Sequence, residues 1–221
     1  MKEDIEKLVV EKYGKGYLKA LEFTLSAEGG FANHINDKGG MTWCGITRVF
    51  ASKWKGWQVI DRYLENYKEL AKPSKQLNKD LVKKLNTELS RDKELEELKL
   101  EFYFENYYKR VKADLMPNKV GVILFDMCVL QGVNRANKTL QKLCNRYFGK
   151  NLLIDGIIGS VTLTTIENIL KENEADIFAS ELLHEYTDNL IEASKYGNNT
   201  VFLNGWMNRV NNLRNYLRLL K

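Results

Sequence analysis

The chain has 221 residues, 44% of them hydrophobic, enough apolar material for a sizeable core without covalent staples. Its three cysteines, Cys44, Cys128 and Cys144, stand far apart with no CxxC spacing, which argues against a disulfide framework and for a reducing compartment during synthesis. The formal net charge of +5 equals the charge after Glu192, where Lys195, Arg209, Arg214, Arg218 and Lys221 follow with no acid; that end either attracts a polyanion or is a solvated helix face.

In chain order, the N-terminal stretch MKEDIEKLVVEKYGKGYL alternates charged and apolar residues and lacks the apolar stretch of a secretory signal. No apolar run anywhere approaches the roughly 18 residues of a membrane-spanning helix, so no membrane insertion is expected. A first long helix is predicted to end at Gly29-Gly30, since paired glycines suit the left-handed conformation that closes helices. Leu18, Leu21 and Leu25 form an apolar stripe, and Glu28 falls on the same face. Desolvation and the negative end of the helix dipole would raise the pKa of such a carboxyl, as general-acid chemistry requires. A glutamate that caps or salt-bridges near a helix end is the alternative.

From Phe31 to Thr47 the turn formers predict a loop or small hairpin. Helices are expected over 58–72 and 76–112, the second charged at SRDKELEELK and aromatic at FYFENYY. Pro117 marks a break, after which VGVILFDMCVL reads as a central core helix. Further helices are expected over 135–148, closed by Gly149, from a Ser160 cap to about Leu170, over 174–195, and at the C-terminus with Val210, Leu213, Leu217 and Leu220 on one side. With two prolines and scarce strand signals, the fold class is all-α.

The run EGGFANHINDKGGMTWCGIT, Glu28 to Thr47, resembles the signature of glycoside hydrolase family 108, the N-acetylmuramidases also called secretion activator proteins. Its places are held by Glu28, Gly29, Gly30, Phe31, Asn33, Asp37, Gly39, Gly40, Thr42, Gly45, Ile46 and Thr47 without a gap. Lys38 and Ile35 stand where the family often has proline, and His34 where an acid is common. Residues 107–132 resemble a further family segment, with Leu130 replacing a frequent asparagine. The turn DGIIGSVT, Asp155 to Thr162, resembles that of peptidoglycan-binding helical modules, and GWMNRV, Gly205 to Val210, a C-terminal family motif.

The resemblance implies a lysozyme-like helical fold with a catalytic region at 1–117 and a peptidoglycan-binding-type region at 118–221, packed into one body because no linker separates them. It implies a glycosidase cleaving the MurNAc-GlcNAc backbone of bacterial peptidoglycan, with Glu28 as catalytic acid and no cofactor. Asp37 resembles the second acid in the Glu, Asp and Thr spacing of phage-type lysozymes, as base or cation stabiliser with Thr42 or Thr47 positioning water; bonding its own loop is the alternative. Trp43, Tyr107 and Tyr108 are candidates to stack on sugars, and Asn33 to bond an acetamido group or its own turn.

A lytic transglycosylase using the same Glu28, or a non-catalytic wall-binding or secretion-assisting protein, are the competing readings. A zinc peptidase is disfavoured because His34 and His184 are the only histidines and no HExxH occurs, so no metal is expected. A cysteine peptidase built on Cys44 and His34 lacks a third orienting group. The expectation is a monomer without a nucleic-acid partner, made in the cytoplasm and acting on the wall after release, as a phage endolysin passing a holin pore or as a wall-remodelling enzyme.

Overall fold

The helical periodicities resolve into ten α-helices and one three-stranded sheet in a computed structural model that describes residues 3–25, 29–197 and 199–220. In chain order these are α1 (Glu3–Tyr13), α2 (Lys15–Thr24), β1 (Phe31–Ala32), β2 (Thr42–Trp43), β3 (Ile46–Thr47), α3 (Gly56–Leu64), α4 (Lys79–Leu89) and α5 (Lys93–Tyr103). Then follow α6 (Asn118–Gln131), α7 (Val133–Phe148), α8 (Ser160–Glu172), α9 (Ala175–Ser194) and α10 (Leu203–Leu219). The all-α expectation with a small hairpin therefore holds, and none of the described helices is long and apolar enough to cross a membrane.

The chain forms two compact units, one of Met1–Thr24 with Glu105–Lys221, the other of Leu25–Phe104. The first is organised around α6, in which every residue from Val120 to Cys128 is buried. A helix apolar all round belongs in the middle of a bundle, and α2, α7 and α9 pack against it. Its one buried charge, Asp126, accepts hydrogen bonds from Arg209 Nη2 on α10 at 2.7 Å, Tyr186 Oη on α9 at 3.0 Å and Thr24 Oγ1 on α2 at 3.3 Å. One carboxylate thus ties three helices to a fourth.

The second unit packs α3 on α5 and carries the sheet, ordered β1-β2-β3 and antiparallel throughout. Between β2 and β3 the two-residue turn places Cys44 at φ 44° and Gly45 at φ 79°, as a type I′ hairpin demands. The Tyr103 hydroxyl donates to the Cys44 carbonyl at 2.6 Å, fixing this turn to the end of α5.

Several predicted elements are corrected. The first helix is two, because Gly14 at φ 90° closes α1 with its N–H on the Val9 and Val10 carbonyls. The buried face of α2 is Tyr17, Ala20, Leu21 and Thr24, while Leu18 and Leu25 are half-buried, so the apolar stripe turns by one residue. Glu28 itself lies outside the described residues. The helix over 58–72 stops at Leu64, and that over 76–112 is split where Asp92 caps α5 by accepting from Leu95 N at 2.8 Å. Ser160 is the first residue of α8, with Gly159 at the cap and no side-chain cap bond.

Candidate active site

The signature loop is built in the second unit from local hydrogen bonds. Asn33, 2% exposed, donates from Nδ2 to the carbonyls of Leu70 at 3.0 Å and Ala71 at 3.3 Å, while its own carbonyl accepts from Ser74 N at 3.1 Å. Asn33 therefore anchors the loop to the segment after α3, and its amide nitrogen is committed to the backbone. The exposed Asp37 accepts from Gly39 N on Oδ1 at 2.8 Å, and its carbonyl accepts from Gly40 N at 3.0 Å. This is an Asx turn, in which a carboxylate stands in for a backbone acceptor. It leaves Oδ2 of Asp37 outside the turn bond.

The glycines are set by close approach. A Cβ on Gly39 would stand 2.9 Å from Cγ2 of Thr47, and one on Gly30 would stand 2.5 Å from Oδ1 of Asn86. The same Asn86 oxygen accepts from Phe31 N at 2.7 Å, so the chain leaving the two glycines is held against α4. Half-buried Thr42 donates from Oγ1 to the Gly40 carbonyl at 3.1 Å, and Thr42 and Thr47 face each other across β2 and β3.

Beside this segment lies a groove of about 710 Å³, with Phe31 to His34 on one wall and Lys79, Val82, Lys83, Asn86, Thr87 and Ser90 on the other. The α4 residues fall at three- and four-residue spacing, one stripe of a helix. Sequence reading took this stretch only as part of a helix over 76–112 and missed Asn86. Its only signal was a polar stripe interrupted by Val82, which does not distinguish a groove from open solvent.

The proposed sugar-stacking rings are placed differently. Trp43 is 4% exposed and sits in β2 opposite Ile46, so it offers no face to a ligand in this structure. Tyr108, in the first unit, is equally buried, with Tyr17 at 5.0 Å and Phe125 at 5.7 Å between ring centroids. Burial pushes its hydroxyl well above the ordinary tyrosine pKa. Both are packing residues here because their apolar area is worth more inside a core than beside solvent. Tyr107 is half-buried in the π-helical turn Phe104–Tyr108. Trp54 and Trp57 pack on each other at 5.2 Å, and their indole N–H groups donate to the carbonyls of Leu98 and Ala51.

The DGIIGSVT turn is in the first unit and is held by an amide stripe on α7. Gln141 Nε2 donates to Asp155 Oδ1 at 2.8 Å and to the Ile157 carbonyl at 3.1 Å, while its Oε1 accepts from Gly156 N at 2.8 Å. The Gln141 Nε2 bond and the Ile157 N–H, both on Oδ1, hold the Asp155 carboxyl below its ordinary pKa. Asn145 pairs both ways with the Leu152 backbone, at 2.8 Å and 2.7 Å.

A family model described as glycosyl hydrolase 108 matches residues 21–132, just over half of the chain. A second, described as a predicted peptidoglycan domain, matches residues 135–211. Among solved structures the chain is similar to that of Brucella abortus SagA, at 26% identity and a TM-score of 0.58, over 91% of this chain and 92% of that one. No curated protein matches.

Proposed function

The chain belongs to glycosyl hydrolase family 108 and is a glycosidase that degrades peptidoglycan, and from that premise we propose that Glu28 is its general acid and Asp37 its second carboxylate. Glu28 gives its proton to the oxygen joining two wall sugars, and the bond from that oxygen to the anomeric carbon breaks. Water adds to the resulting cation and releases a proton to Asp37. Oδ2 of Asp37 is the oxygen for that step, since Oδ1 is engaged by Gly39 N. Thr42 and Thr47, paired across the hairpin that follows, are the candidates to hold the water.

The observation that carries the proposal is the groove beside Phe31–His34, which opens on the residues directly after the Glu28-Gly29-Gly30 run. Glu28→Gln keeps the shape of the side chain and removes the proton. Release of new reducing ends from purified peptidoglycan is expected to fall roughly 10²- to 10⁴-fold in that variant with circular dichroism unchanged. Activity within a few-fold of wild type would remove Glu28 from the mechanism. Mass spectrometry of the products separates hydrolysis, which leaves a free reducing end, from transglycosylation, which closes an anhydro ring without water.

A further inference from the structure

Where α6 ends, the first unit holds a second pocket, of about 450 Å³, lined among others by Leu130, Gln131, Arg135, Leu190, Asn199 and Trp206. Gln131 is the last residue of α6, ahead of Gly132 at φ 87°. Its side-chain Nε2 and Oε1 are both buried, and neither has a hydrogen-bond partner among the described residues. A buried amide gives up its hydrogen bonds to water and, with nothing in exchange, destabilises the fold.

Neighbouring amides behave differently. Gln141 and Asn145 on α7 use both ends of their side chains to fix backbone, and Asn199 Nδ2 donates to the Ala193 carbonyl at 3.1 Å. In Gln131 a donor and an acceptor on one planar group are left together, buried in the wall of a pocket, where a turn of the side chain presents both to a ligand. Beside it stand two leucines and the half-buried Trp206, whose ring stacks on Phe202 at 6.0 Å.

Such a pair complements a secondary amide, which offers one carbonyl and one N–H. A carboxylate or phosphate would satisfy Nε2 and Arg135 but leave Oε1 facing another acceptor. In peptidoglycan the secondary amide attached to a sugar ring is the acetamido group. We propose that this pocket binds the acetamido group of a wall N-acetylhexosamine. Gln131 Nε2–H donates to its carbonyl, Oε1 accepts from its N–H, Leu130 and Leu190 receive its methyl, and Trp206 lies against the sugar. The inference rests on peptidoglycan being the substrate. It also draws the two matched segments together, because Leu130 and Gln131 close the 21–132 match while Arg135 through Trp206 belong to the 135–211 match.

The test titrates isotope-labelled full-length protein with an N-acetylglucosamine tetramer and, separately, a glucosamine tetramer. The Gln131 side-chain amide signals are expected to shift with the first and stay with the second. Gln131→Leu is expected to weaken binding of the acetylated tetramer about tenfold or more, for two lost hydrogen bonds. It should also melt no lower than wild type, since it removes polar atoms that the apo fold leaves unpaired. Unmoved amide signals, equal response to both tetramers, or unchanged affinity in Gln131→Leu overturn the proposal. The wild-type titration stands even if the variant fails to fold. Reducing-end release by wild type with unmoved Gln131 signals sinks this inference alone, whereas shifted signals without any cleavage sink the glycosidase mechanism and spare the pocket.

Discussion

Asp37 closes a turn and is the proposed base, and substitution can separate the two. Its Oδ1 closes the turn onto Gly39 N at 2.8 Å, and asparagine offers an acceptor oxygen at the same place. Asp37→Asn is therefore expected to keep the loop, with an unfolding midpoint close to wild type, while cell-wall lysis drops about 10²-fold or more through loss of the base. Asp37→Ala removes the turn acceptor as well and is expected to cost about 1 kcal/mol of stability on top. Lysis by Asp37→Asn at the wild-type rate would leave Asp37 only its turn. At this scale the sequence was legible wherever a residue acts through its nearest neighbours in the chain. The Asx turn of Asp37 is of that kind, whereas Gly30 is set by Asn86 on α4 and neither it nor Gly29 takes the left-handed conformation expected of a helix end. Asn86 and Gln131 were not legible, because what distinguishes them is the presence or absence of a partner brought in by another element: the Phe31 N–H for Asn86, and none among the described residues for Gln131.

At the scale of elements, helices were readable where apolar content ran unbroken and where a glycine ended them, as in α6 and α7, the latter closed by Gly149 at φ 61°. They were misread where polar caps interrupt a charged stretch. Asn78 and Asp92 each begin a helix by accepting backbone N–H groups, yet within KQLNKDLVKKLNTELSRDKELEELK they look like any other solvated residue. The buried carboxylate of α6 tests how elements are joined. Asp126 is fully buried and Arg209 is its cationic partner, with Nε at 3.0 Å and Nη2 at 2.7 Å from Oδ1. Removing one partner of a buried pair leaves a charge without compensation, at a cost of about 3–5 kcal/mol. Arg209→Met is expected to lose about that much in urea unfolding, and adding Asp126→Asn to recover part of it. If the single variant loses less than about 1 kcal/mol, the pair does not join α10 to α6 energetically.

At the scale of the whole molecule, sequence and space divide the chain differently. Sequence reading divided it at residue 117, and the family matches meet between 132 and 135, whereas the compact units separate 25–104 from both chain ends together. The reason lies in α6, whose residues from Val120 to Cys128 are buried on every side. Part of that cover comes from α2, early in the chain, and part from α7 and α9, both beyond the hydrolase match. A helix with that composition cannot remain in water with one side uncovered, since each fully buried Leu, Ile, Val or Phe side chain contributes about 1.5–3 kcal/mol through burial. A protein ending at residue 132, which retains Glu28, Asp37 and the complete family match, is therefore expected to express as aggregate or as a molten species without a cooperative melt, and to release no reducing ends from peptidoglycan. The full chain under the same conditions should melt cooperatively. The physical statement under test is that the last four helices are part of the fold that carries the hydrolase segment. A soluble, cooperatively melting and active 1–132 fragment would show instead that they are an appendage.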